Sequence, residues 1–366
     1  MHVGMSAIFQ GFGGSMSDQE VWAADLRLAD LAEPLGYESI WSVEHHFSNY
    51  TMCPDVLQFL TYMAGRTSKV KLGSMVLVLP WHDPVRAAEQ IIMLDQMSQG
   101  RLILGLGRGT GKIEFDGFRV EMSQARQQFK ESAEAILAAL ETGVMEYDGE
   151  YVKQPRIELH PAPYATFKGR TYSATISPES AEIMAKLGTG VLVVPQKPWH
   201  LVREETEVYR QTYRASIGEE PPAPIVAGWT FVDENADRAE EQARAWLSGY
   251  WDSVISHYEF DKPHLKSTKG YEFHGQMYDR LNEPGGLERM TEFYIGLQPF
   301  GTPEQVFDKT KAFCDLVGAD GYTGVFRFGG MPPEEAERSM RLFAAEVMPE
   351  LQALAPAADR LAHVRA

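Results

Sequence analysis

Four consecutive residues, Glu44, His45, His46 and Phe47, offer the clearest chemistry in the chain. They close an apolar run over residues 39–46 that reads as a strand. Side chains alternate along a strand, so His45 points with Val43 and Trp41, and Glu44 and His46 point the other way. One imidazole can therefore face a cavity while the other packs behind it. Imidazole titrates near neutrality, which makes a cavity-facing histidine a candidate acid or base. A single histidine in such a place is more often satisfied inside a core. A pair preceded by glutamate at a strand end favours the chemical role. A metal site would need a third ligand, and none is apparent in sequence, so no metal is expected. Cys53 and Cys314 stand far apart and form neither a ligand spacing nor a disulfide framework.

Two further stretches suit a phosphate. Residues 105–111 read GLGRGTG. Glycines there permit close backbone approach and positive φ angles. Arg108, between Gly107 and Gly109, is placed for a phosphate or ring contact. A tight turn would use the same glycines. Ser177-Pro178-Glu179-Ser180 reads as a helix start, with Ser177 as N-cap and Pro178 in the first turn. Helix N-termini with nearby hydroxyls bind anions, although plain capping needs no ligand.

These residues must be positioned by a larger frame. Short apolar runs alternate with helical patterns: strands over residues 2–10, 39–46, 70–79, 101–106, 171–177, 191–194, 225–232 and 324–328. Helices are expected over 19–34, 55–66, 84–97, 123–141, 178–187, 199–216, 303–317 and 333–351. Strands apolar on both faces are those of a parallel sheet covered on both sides. Eight strand–helix repeats with right-handed crossovers close into a (β/α)8 TIM barrel, whose active site lies at the C-terminal strand ends. A doubly wound open sheet would need a phosphate loop in its first unit, and GFGGS (residues 11–15) lacks the spacing. Two segments interrupt the rhythm. Residues 145–153 read as a hairpin with an added strand at 157–160, and residues 233–300 are too long for a simple connection after the seventh strand. A helix over 236–258 opens that insertion, and the rest is polar and aromatic without clear period. A lid over the active site is expected there, with a surface used for oligomer contacts as the other reading. The reading is one barrel domain over residues 1–354 and a flexible tail over 355–366.

Composition narrows the partners. The net charge of −17 (34 basic against 51 acidic residues) disfavours a nucleic-acid partner. No apolar run is long enough to span a bilayer, and the first residues read as a strand and not as a signal peptide, so a cytoplasmic protein without membrane contact is expected.

The chain resembles the bacterial luciferase-like flavin-dependent monooxygenases, especially their luciferase α-subunit branch. The motifs are VEHHF (residues 43–47), LVLPWHDPVRAAEQ (77–90), MLDQMSQGR (93–101), GLGRGTGKIEFDGF (105–118) and TPEQV (302–306). The resemblance implies that His45 is the catalytic base supporting a flavin hydroperoxide. It implies a non-prolyl cis peptide at Met75–Val76 beneath the isoalloxazine ring, and a cofactor loop through Gly107, Arg108 and Gly109 with Arg108 at the flavin phosphate. Ser177 and Ser180 would sit around that phosphate, and the segment before Gly301 would be a mobile lid. It further implies a two-component enzyme that takes reduced FMN from a separate reductase, uses O2 to oxygenate a small organic substrate, and forms a homodimer. Two alternatives are a deazaflavin-dependent hydride-transfer enzyme on the same fold and a non-catalytic flavin-binding subunit. The sequence departs from the family pattern at Gly107, where a reactive cysteine is usual, at Ile176, and at Val194-Pro195. These departures argue against light emission from a long-chain aldehyde.

Overall fold

The computed structural model describes residues 1–364 apart from 12, 14, 15 and 175–177. Strand β1 (His2–Ala7) leads into helix α1 (Asp18–Leu35). A capping box between Ser17 and Glu20 starts α1, and Gly36 at φ 91° stops it. Next come β2 (Ser39–Ser42), α2 (Val56–Ala64) capped by Asp55, β3 (Lys71–Ser74) and β4 (Leu77–Val78). Then follow α3 (Pro84–Ser98), β5 (Leu102–Gly107), α4 (Lys112–Phe118) and α5 (Ala125–Thr142). An antiparallel hairpin, β6 (Val144–Asp148) and β7 (Lys153–Glu158), precedes β8 (Thr171–Ala174) and α6 (Pro178–Lys186). After these run β9 (Gly190–Val193), α7 (Trp199–Ile217), β10 (Ile225–Trp229) and β11 (Phe231–Val232).

The expected barrel is present. Strands β1, β2, β3, β5, β8 and β9 pair in parallel in that order, and then β10 and one later strand, β13, complete the ring back to β1. That gives a closed parallel barrel of eight strands. Before β13 the chain makes its long excursion through α8 (Ala236–Tyr258), α9 (His264–Ser267), α10 (Glu272–Asn282) and α11 (Gly286–Gly296). It returns at β12 (Phe300–Gly301), then α12 (Pro303–Val317) and β13 (Gly321–Val325). β11 and β12 pair in parallel, Phe231 with Phe300 and Val232 with Gly301, so the two ends of the excursion are stitched together. The chain ends with α13 (Pro333–Leu342), a π-helical turn (Phe343–Val347), α14 (Met348–Gln352) and α15 (Ala357–Val364). Arg360 in α15 donates to Asp315 Oδ1 at 2.6 Å and to the Ala319 carbonyl at 2.7 Å.

Several elements differ from the sequence expectation. β2 stops at Ser42, because the His45 N–H turns to the Cys53 carbonyl at 3.1 Å and leaves the sheet. The single strand expected over residues 70–79 is split in two by a cis peptide between Met75 and Val76. The hairpin is longer than expected, and the first half of the separate strand read at 157–160 falls within β7. The final strand lies three residues earlier, at Gly321–Val325. Residues 264–296 are mostly helical. Gly275 in α10 marks a close approach: a Cβ there would stand 2.7 Å from the Lys266 Cα. Among the described residues, no helix is long and apolar enough to cross a membrane.

Candidate active site

A cleft of about 1440 Å3, part of it open to solvent, lies at the C-terminal ends of the barrel strands. Its walls are largely apolar, with Ile8, Val43, Val78 and Val325 from the barrel and Trp251 and Val254 from α8. Two polar groups break this lining.

The first centres on Glu114, in α4, whose side chain is fully buried. Its Oε1 accepts from His45 Nδ1 at 3.0 Å and from the His46 N–H at 2.9 Å. His257 Nε2, from α8, lies 3.4 Å from the same oxygen. Burial pushes the Glu114 carboxyl up, but the interaction with His45, its hydrogen bond and the nearby His257 ring outweigh it and hold it at about 2. An ionised carboxylate only accepts, so Nδ1 of His45 carries the hydrogen. With the Nδ1 hydrogen held by Glu114, Nε2 is the nitrogen left to exchange a proton, and the Tyr258 hydroxyl lies 3.4 Å from it. His257 accepts from Ser48 Oγ at Nδ1, 2.8 Å away. Burial lowers the His257 pKa, which keeps that imidazole neutral. Tyr50 stacks on His257 and hydrogen-bonds Tyr250, and burial lifts its hydroxyl to about 12. Donor atoms of His45, Glu114 and His257 lie within 4.8 Å of one another, close enough to hold a divalent ion. The hydrogen bonds converging on Oε1 describe the cluster without one.

His46 does not line the cleft, but strand alternation is not the reason: β2 has ended at Ser42, and Glu44 lines the cleft together with Val43 and His45. His46 Nε2 donates to Glu44 Oε1 at 3.2 Å, and His82 Nε2 reaches the same oxygen at 2.6 Å. The second Glu44 oxygen accepts the Val78 N–H at 2.7 Å, so the carboxylate ties the loop after β2 to β4. Burial acts against the Glu44 charge, but hydrogen bonds from His46 and His82 hold its pKa below the ordinary value. Glu44 thus buttresses the turn that presents His45.

The second polar group is cationic. Arg108, just after β5, donates from Nη1 to the Gly270 carbonyl at 2.8 Å and lies 4.0 Å over the Tyr271 ring. Arg126 from α5 reaches the same carbonyl at 3.1 Å and Glu179 at 2.7 Å. Burial and the Arg126 charge lower the Arg108 pKa against the pull of Tyr271 and nearby acids. Ser180 and His274 line the cleft as well.

Of the residues expected from sequence, His45, Met75, Val76, Gly107, Arg108, Gly109 and Ser180 all line this one cleft. Ser177 and Ile176 lie outside the described residues. The Met75–Val76 bond is cis, as the resemblance implied. The purpose of Gly107 differs from the expectation of ligand approach. A Cβ there would stand 2.2 Å from Val76 Cγ2, so the glycine makes room for the bulge between β3 and β4. Gly109 does adopt a positive φ of 81°. Trp229, Trp251 and Tyr258 line the cleft, whereas Phe273 lies partly exposed with Lys197 over its ring. Sequence reading missed Glu114, Arg126, His257 and His274. Only Glu114 had a local signal, an acid three residues after the glycine-rich stretch.

Comparisons with known proteins give the family and the fold. A family model described as luciferase-like monooxygenase matches residues 1–320. The alkanal monooxygenase alpha chain of Photorhabdus luminescens is 28% identical over 345 residues, 92% of this chain and 94% of that one. Among solved structures, a monooxygenase from Streptomyces bottropensis superposes with a TM-score of 0.79 at 26% identity, over 96% of this chain and 99% of that chain. The oxygenating constituent of 3,6-diketocamphane monooxygenase from Pseudomonas putida, in complex with FMN, gives 0.75 at 19% identity, covering 97% and 99%. An F420-dependent secondary alcohol dehydrogenase shares the fold at 0.70 and 16% identity, covering 96% and 98%.

Proposed function

The chain belongs to the luciferase-like monooxygenase family, and on that premise we propose that it is the oxygenating component of a two-component system, taking reduced FMN from a separate reductase. The observation that carries this reading is the pairing, in one cleft, of a histidine whose Nε2 faces the Tyr258 hydroxyl and two partly buried arginines. The residues present fit the cofactor. Arg108, Arg126 and Ser180, with Ser177 three positions before Ser180 in sequence, would hold the phosphate. The Met75–Val76 bulge and the loop through Gly107 and Gly109 would support the ring. Reduced flavin, when bound, supplies the two electrons that activate O2, with one oxygen atom passing to a small organic substrate and the other leaving as water.

The protein's part is binding, proton control and exclusion of water. Glu114 fixes His45 in the tautomer whose Nε2 can take a proton, and Tyr258 stands beside that nitrogen. The apolar wall from β1, β2, β4 and α8 keeps bulk water from the reacting atoms. The excursion over residues 233–300 acts as the lid, supplying Tyr258, His274 and Tyr294 to the lining. Exposed Tyr62 on α2 and Met93 and Met97 on α3 offer an apolar face for homodimer pairing.

FMN is favoured over a deazaflavin by the Gly270 carbonyl, which caps both arginines. A terminal phosphate monoester suits such a closed end better than a phosphodiester whose chain must continue outward. With Val76 filling the place of a side chain at position 107, light emission is not the proposed activity.

The test is product formation from a panel of aldehydes, ketones and amines under 18O2 with reduced FMN. One labelled oxygen per product is expected. The His45→Ala protein should bind FMN normally and lose oxygenation, and full coupled turnover in that variant would remove His45 from the chemistry.

A further inference from the structure

His274 is the least explained polar residue in the cleft. It sits in α10, within the long excursion, and is 8% exposed. Neither ring nitrogen has a hydrogen-bond partner among the described residues. The charged groups around it come from several elements: Arg108 after β5, Arg126 on α5, and Lys197 in the loop after β9. Glu179 pairs with Arg126, Glu205 with Lys197, and Glu272 lies two residues away. A buried imidazole with both nitrogens unbonded is an unfavourable arrangement unless something else satisfies it. The cleft it lines also holds Ser180 and the two arginines. Such a set of donors matches an anion with several acceptor oxygens.

We propose that His274 completes the phosphate site from the lid side and takes up a proton when a dianionic phosphate monoester enters between it, Arg108 and Arg126. The proposal rests on the flavin reading above and adds to it a residue and a proton. Without the anion, burial and the three cations keep the imidazole neutral, with a pKa lowered to about 3. A dianion beside the ring reverses the sign of the local field and gives the ring N–H groups charged acceptors. The proton comes from solvent, the imidazole becomes imidazolium, and no bond other than N–H forms. Because α10 belongs to the excursion, the same event ties the lid to the cofactor's phosphate. Riboflavin, which has the ring system and no phosphate, would leave His274 neutral.

The experiment uses full-length protein labelled with 15N at histidine, titrated at pH 7 with FMN, riboflavin and inorganic phosphate in turn. The His274 signal is assigned from its absence in His274→Gln. Addition of FMN or phosphate should carry the His274 nitrogens from neutral to imidazolium shifts, and riboflavin should not. Calorimetry in two buffers of different ionisation enthalpy should show about one more proton taken up per FMN by the wild type than by His274→Gln. That variant should bind FMN roughly 10-fold more weakly and riboflavin as the wild type does, which also shows that it is folded. If FMN binds while His274 stays neutral and proton uptake is equal in the two proteins, the inference is overturned and the flavin reading survives. If neither FMN nor riboflavin binds, both fall.

Discussion

Replacing Glu114 by alanine withdraws one carboxylate oxygen from three neighbours at once. Oε1 lies 3.0 Å from His45 Nδ1, 2.9 Å from the His46 nitrogen and 3.4 Å from His257 Nε2. Removing one partner from a buried, charge-assisted cluster costs about 3–5 kcal/mol. Unfolding entropy of about 2.1 cal/mol/K per residue gives roughly 0.8 kcal/mol/K for 366 residues, so the melting temperature should fall by roughly 4–6 °C. Glu114→Gln keeps an acceptor and loses only the charge, for about 1–2 kcal/mol and roughly 1–3 °C. The pH dependence has a definite sign. The Glu114 carboxyl is held at about 2, where burial alone would raise it and the His45 and His257 contacts pull it down. Its ionised form therefore stabilises the fold fully above the ordinary carboxylate value near 4.5, and that contribution is lost as pH falls towards 2. The gap between wild type and Glu114→Gln should be open at pH 7 and narrow below about pH 4.5. Oxygenation by the alanine variant should fall about 10²- to 10⁴-fold, because His45 loses the acceptor that fixes its tautomer. Calorimetric melting across pH and product assays at pH 7 measure both. An alanine variant with unchanged melting temperature and turnover, or a gap as wide at pH 3 as at pH 7, would refute the reasoning.

Three other outcomes are expected. Arg108→Ala and Arg126→Ala should each weaken FMN binding about 10- to 100-fold, the loss of a charged hydrogen bond, and leave riboflavin binding unchanged. Equal losses for both ligands in a fluorescence titration would contradict the phosphate assignment. Gly107→Cys should destabilise by about 1–3 kcal/mol, since the new Cβ meets Val76 Cγ2 at 2.2 Å, and Val76→Ala should relieve it in a double-mutant cycle. Asp95, fully buried, accepts two hydrogen bonds from Arg170 at 2.6 and 2.7 Å, so Asp95→Ala should cost about 3–5 kcal/mol in urea unfolding. Asp95 does not line the cleft, and flavin affinity should hold wherever that variant is folded.

The barrel was legible because its strands are apolar on both faces and its helices carry plain stop signals such as Gly36. His45 and Arg108 were legible because they follow strands, where a barrel places its chemistry. The split at Met75–Val76 could be expected only from resemblance, since nothing in LGSMVLVLP breaks the apolar run. Helices α10 and α11 were missed because their segment is polar and aromatic without clear period, and packing of Gly275 against Lys266 is a tertiary contact. The partners of His45 were beyond sequence for a different reason. Glu114 is 69 positions away and Tyr258 is 213, and only the closed barrel with its returning excursion brings them together. His274 gave no local sign at all, lying in a segment expected to form a lid but polar and aromatic without clear period.

Anaerobic equilibrium binding of reduced FMN and of reduced deazaflavin, measured side by side on the wild-type protein, bears most directly on the proposed cofactor. Reduced FMN should bind at least roughly tenfold more tightly, a difference of about 1.4 kcal/mol or more. Tighter binding of the deazaflavin, or no saturable binding of reduced FMN, would contradict the proposed chemistry.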